Sequence, residues 1–186
     1  MLAAAVALAL MFAFPIWKIT LEAPQYPKGL GMYIWINKIT GSEPSTLQTI
    51  NIMNHYIGMK PIEPESIPEL RFMKYIILAL TGLAFLLVFL NKWQLNLVWV
   101  ILLTAAAALA LYDFYLWEYD YGHNLDPSAA IKIEGMAYQP PLIGKKQIMN
   151  FLAISFPRMG SLFLALSILC GGLAVYFGLK NRRTAG

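Results

Sequence analysis

Leu97-Val98-Trp99-Val100-Ile101-Leu102-Leu103-Thr104-Ala105-Ala106-Ala107-Ala108-Leu109-Ala110-Leu111 runs on through Tyr112-Asp113-Phe114-Tyr115-Leu116-Trp117 with one carboxylate, Asp113, in 21 residues. At about 1.5 Å of rise per residue this stretch makes a helix about 31 Å long, the thickness of a bilayer's hydrocarbon core. Two further runs, 73–90 and 160–179, have the same character, and a shorter one covers 2–17. The short run lacks a basic leader and a small-residue cleavage pattern, so it reads as a retained span rather than a signal peptide. The expected fold class is therefore all-α integral membrane: one membrane domain, 1–186, with four transmembrane helices at about 2–17, 73–90, 97–117 and 160–179.

The composition agrees. Hydrophobic residues make up 59% of the 186 and charged residues only 13%, where soluble domains carry about a quarter. Mean hydropathy is +0.58, so the apolar surplus must face lipid. One cysteine, Cys170, excludes a disulfide-stapled scaffold, and the lack of a basic stripe on a soluble domain argues against a nucleic-acid partner. The net charge of +4 is explained by topology. Lys92, in the turn between the second and third runs, and Lys180, Arg182 and Arg183, in the tail, share one side without an acid. The positive-inside rule then predicts both termini in the cytoplasm and two long periplasmic segments, about 18–72 and 118–159, on a protein of the cytoplasmic (inner) membrane.

Long connections between spans are where function concentrates. In the first, Met32 to Ile36 reads as a short strand or an interfacial patch. Ser45-Thr46-Leu47-Gln48 has the form of a capping box and Gly58 of a helix stop, predicting a helix over 46–57 with Leu47, Ile50, Met53 and Ile57 on one face and Ile52, His55, Tyr56 and, if the turn continues, Met59 on another. Met53, His55 and Met59 supply thioether and imidazole, which soft Cu(I) accepts. In the second, His123 lies between Gly122 and Asp126-Pro127, Met136 follows, and 145–156 carries apolar residues at helical spacing. Folding one segment over the other would bring His55, Met59, Met53, His123 and Met136 to one metal site. Neither histidine falls in a span, so haem within the bundle is not expected, and no phosphate loop, nucleophile elbow or zinc signature is present.

The runs Asn51-Ile52-Met53-Asn54-His55-Tyr56-Ile57-Gly58-Met59-Lys60, Tyr121-Gly122-His123-Asn124-Leu125-Asp126-Pro127 and Met136-Ala137-Tyr138-Gln139-Pro140-Pro141-Leu142-Ile143-Gly144, together with the four-span layout, resemble a small integral membrane protein encoded in nitrous oxide reductase gene clusters. That resemblance implies copper as the cargo, a denitrification setting and a periplasmic copper enzyme or copper chaperone as partner. The expected function is that of a membrane accessory protein, not an enzyme, that handles or transfers copper through its extracytoplasmic His and Met residues. The alternative is a metal-free membrane anchor or scaffold subunit that docks a periplasmic partner. A quinol-oxidising redox subunit is a third reading, without evident cofactor ligands.

Overall fold

A computed structural model describes the chain except Lys132, Glu134, Met136, Ala185 and Gly186, and the side chains of Arg183 and Thr184. In chain order the elements are helix α1 (Leu2–Leu10) with a 3-10 turn (Met11–Ala13), strands β1 (Trp17–Ala23), β2 (Tyr26–Ile34) and β3 (Ile39–Gly41), helix α2 (Thr46–Tyr56) and a 3-10 turn (Pro64–Ser66). Helices α3 (Pro68–Leu90) and α4 (Trp93–His123), strands β4 (Gly144–Ile148) and β5 (Phe151–Pro157), and helix α5 (Met159–Thr184) follow.

The all-α, four-span expectation is overturned. A five-stranded antiparallel sheet, order β3-β2-β1-β5-β4, caps one end of the bundle, and among the described residues three helices, not four, are long and apolar enough to cross a membrane: α3, α4 and α5. The apolar stretch at the start fails as a span because its helical part, Leu2–Ala13, is about 18 Å long at 1.5 Å per residue. Its supposed end, Trp17, begins a strand instead. There Trp17-Lys18-Ile19-Thr20-Leu21-Glu22 alternates apolar with polar, which is a strand's period of two.

The predicted amphipathic helix over 145–156 is also corrected. It is the β4–β5 hairpin, turning at Met149, which holds φ 53, and Asn150, with Ile148 opposite Phe151. Ile148, Phe151, Leu152 and Phe156 fit a helical period, but Leu152-Ala153-Ile154-Ser155-Phe156-Pro157 pairs with β1 along its length, and the ladder supplies backbone partners over a distance the local period does not report. The helix over 46–57 is present as α2, although Ser45 makes no side-chain cap. Its end is a Schellman turn: Gly58 N–H donates to the His55 carbonyl (3.3 Å) and Met59 N–H to that of Asn54 (2.8 Å), with Gly58 at φ +79, where a Cβ is penalised.

Two apolar cores result. One lies in the bundle, where Ala4, Ala5 and Leu8 of α1 meet Ile77, Ala84 and Leu87 of α3 and Trp99 and Leu103 of α4. Two of its polar side chains are tied to backbone: Ser167 Oγ donates to the Ala4 carbonyl at 2.7 Å and Trp99 Nε1 to that of Leu80 at 2.8 Å. The other lies beneath the sheet, among Trp17, Ile19, Met32, Ile34, Ile39, Ile50, Ile62 and Tyr121. The seam between them is short and rigid. Gly160 N–H donates to the Pro15 carbonyl (2.9 Å) and Ser161 Oγ to that of Ile16 (2.6 Å), so β1 and the start of α5 cross in contact. Because β5 runs directly into α5, and α4 ends where α3 begins, the Asn91-Lys92 turn and the tail at 180–184 lie at the opposite end from the sheet.

Candidate functional site

A helix of 31 residues is about 46 Å long, so α4 outruns the hydrocarbon core by about 16 Å. Residues 118–123 therefore stand above the apolar run and pack under the sheet. There the Trp117 and Tyr121 rings meet tilted, centroids 4.3 Å apart, and the Tyr121 hydroxyl donates to the Pro61 carbonyl at 3.0 Å. Gly122 N- and C-terminal neighbours are held close to the returning chain: the Gly122 carbonyl accepts from Tyr138 N–H at 2.9 Å, and a Cβ on Gly122 would overlap the Gln139 backbone.

These elements enclose a cavity of about 100 Å³, lined by Met32 of β2, Met53 of α2, Met59 beyond the Schellman turn, Glu118 and Tyr121 of α4, and Tyr138. Apart from Asn54, its remaining walls are apolar, from Ile19, Leu21 and Leu30 of the sheet to Ile50 and Ile62. Two buried polar groups on this wall have no hydrogen-bond partner among the described residues: the Glu118 carboxyl, at both oxygens, and the Tyr138 hydroxyl. Glu118 is 0% exposed, and burial pushes its pKa up to about 8, so the carboxyl is neutral at pH 7. An unpaired buried acid is costly, which marks this wall as the place in the sheet domain where chemistry is unfinished.

Of the predicted ligand set, the structure gathers part. Met53 and Met59 line the cavity, whereas His55 and His123 are exposed, and Met136 lies outside the described residues. The reason for the separation is geometric. His55 is two residues from Met53, about 200° around a helix, and the turn at Gly58 reverses the chain so that Met59 points inward rather than extending the His55 face. His123 lies with its ring on Tyr119, centroids 4.0 Å apart, and its Nδ1 is 2.9 Å from the Tyr119 carbonyl. Met32, joined by the fold to Met53 and Met59, was not among the expected ligands. Among the described residues no group of three or more His, Cys, Asp or Glu gathers.

The outer rim is built from both segments. Lys60 Nζ pairs with Asp120 Oδ2 at 2.8 Å, a hydrogen bond that holds the Asp120 carboxyl below its ordinary range. Ile131 N–H donates to the Tyr56 carbonyl (2.9 Å) and Asp126 N–H to that of Gly58 (2.8 Å). The sequence reading missed Glu118 and Tyr138. The signal for Glu118 was present: Phe114, Trp117, Glu118 and Tyr121 follow helical spacing, which places one acid on an apolar face, but only if the helix is carried past Trp117. Nothing local marks Tyr138, whose burial depends on the contact with Gly122.

Comparison with family models, with curated proteins and with solved structures finds no match to this chain.

Proposed function

We propose that the chain is a non-catalytic accessory protein of the inner membrane that handles Cu(I) for a periplasmic copper enzyme of nitrous oxide reduction, or for that enzyme's soluble chaperone, as its resemblance implies. The sheet domain faces the periplasm. Support for this orientation comes from Lys92, Lys180, Arg182 and Arg183, which lie at the far end of the bundle from the sheet. The observation that carries the copper reading is that Met32, Met53 and Met59 line one cavity. Thioether sulfur is a soft donor that selects Cu(I) and refuses hard cations. The buried Glu118 carboxyl on the same wall would lose its proton to balance a bound cation. His55 and His123, exposed on the rim, belong in this reading to the surface that meets the partner, not to the holding site.

The test is anaerobic Cu(I) loading of the purified protein followed by chelator competition. Met53→Leu with Met59→Leu keeps side-chain volume and should release copper to the chelator, while His55→Ala with His123→Ala should retain it. Retention by the first pair and loss by the second would contradict the thioether site.

A metal-free anchor is the second reading, favoured by the exposed apolar residues Ile52, Tyr56, Tyr119 and Ile131 on the rim. In that case the wild type holds no copper, and deletion of the protein frees its partner from the membrane.

A further inference from the structure

A second cavity, about 490 Å³, opens between α3 and α4 on the sheet side of the bundle, a size typical of sites for small molecules and cofactors. Trp99 bonds to Leu80 near the cytoplasmic turn, but toward the sheet α3 and α4 part. Ala106, Ala107, Ala108 and Ala110, a run whose composition suits close helix packing, border this space instead. The cleft runs from Asp113 down to Leu103 on α4 and from Glu69 to Ile77 on α3, about 12 to 15 Å at helical rise, half the depth of a bilayer. Its upper end holds the aromatic rings of Trp17, Phe114 and Trp117, Phe114 edge-on to Trp17 at 5.4 Å. Glu69 and Asp113 are the two acids among the described residues that line that end. No lysine or arginine is among the described residues that line it.

We propose that this cleft binds a membrane hydroquinone, its ring among Trp17, Phe114 and Trp117, its hydroxyls donating to Asp113 and Glu69, and its tail lying along the alanines of α4. The charge pattern selects this occupant. A phospholipid phosphate or a fatty-acid carboxylate would meet two acids and no cation, which disfavours binding. A hydroquinone is neutral and offers two O–H donors to two acceptors, and a hydrogen bond to a charged group is stronger than one between neutral groups. Its flat ring suits an aromatic mouth. Binding alone is inferred, and it stands independently of the copper reading.

The test is anaerobic titration of the full chain in detergent micelles with decylubiquinol, decylubiquinone and dioleoyl phosphatidylglycerol, read by quenching of the cleft tryptophans and by calorimetry. Decylubiquinol should bind saturably and about tenfold more tightly than the quinone, which lacks the donors; tenfold corresponds to a hydrogen bond to a charged group. Ala107→Phe should abolish binding by filling the cleft, and Asp113→Asn with Glu69→Gln should erase the preference for the reduced form. If Ala107→Phe does not fold, Ala110→Leu provides the same obstruction. Equal affinity for both redox forms, displacement by equimolar phosphatidylglycerol, or unchanged affinity in a folded cleft-filling variant would each overturn the proposal.

Discussion

The bundle and the sheet domain solve opposite problems with the same apolar vocabulary. In the bundle each helix satisfies its own backbone, so lipid-facing residues need only be apolar and neighbours are joined by a few side-chain bonds to carbonyls, as from Ser167 to Ala4. In the sheet domain, backbone partners come from far away. Trp17 lies in β1 beside Pro157 of β5, and its indole donates to Ser155 at 2.8 Å across 138 residues. Tolerance in the one and exact fit in the other follow from that difference.

Gly122 and Gly82 illustrate it, although Gly171 and Gly178 of α5 are also close-packed, against Trp99 and Trp93. Gly122→Val should cost roughly 3 kcal/mol or more, because the side chain would push into the Gln139 backbone and pry the segment around Tyr138 from α4. The measurement is the thermal midpoint in micelles together with proteolysis of the sheet domain. In the bundle, a Cβ on Gly82 would meet nothing within 4 Å, so Gly82→Ala should be neutral or stabilise by about 0.5 to 1 kcal/mol through helix propensity. Equal effects at the two sites would erase the contrast.

Glu118 comes next. Its folded pKa, about 8, exceeds that of an unfolded glutamate, near 4.3, so the native state binds more protons across that interval. Stability should therefore be highest below about pH 4, fall as pH rises toward 8 and level off above it, by about 5 kcal/mol at most. Glu118→Gln should flatten this dependence and raise the melting temperature at pH 8. A wild-type curve that is flat between pH 5 and 8 would show that the carboxyl has a partner. The Lys60–Asp120 ion pair marks the small end: its partners are 48% and 49% exposed, and Lys60→Ala should change stability by less than about 1 kcal/mol, read by the same melting assay in low and high salt.

This same contrast governs what could be read without coordinates. The apolar helices α3, α4 and α5 were legible because runs of 18 to 21 almost wholly apolar residues have few alternatives, and α2 was legible because Gly58 and the Leu47, Ile50, Met53 spacing are local signals. The sheet was not. β1 follows an apolar run that masks its start, and β5 carries residues that satisfy both periods. Its pairing with β1 joins segments separated by more than 120 residues, which no window contains. For the candidate site, Met53 and Met59 were found by chemistry, but Met32 and Glu118 required knowing that β2 and the last turns of α4 face one another.

Sidedness is tested by thiol labelling in a Cys170→Ala background. Single cysteines at Lys28 and Lys145 should label from outside intact cells and one at Lys92 should not; the reverse pattern would invert the proposed orientation.

The copper claim meets its most direct test in the X-ray absorption spectrum of the Cu(I)-loaded protein. Copper held by Met32, Met53 and Met59 should show a sulfur-dominated first shell without the multiple scattering of imidazole, unchanged by His55→Ala with His123→Ala. A nitrogen-dominated shell carrying imidazole features, or no copper retained after anaerobic loading, would contradict it.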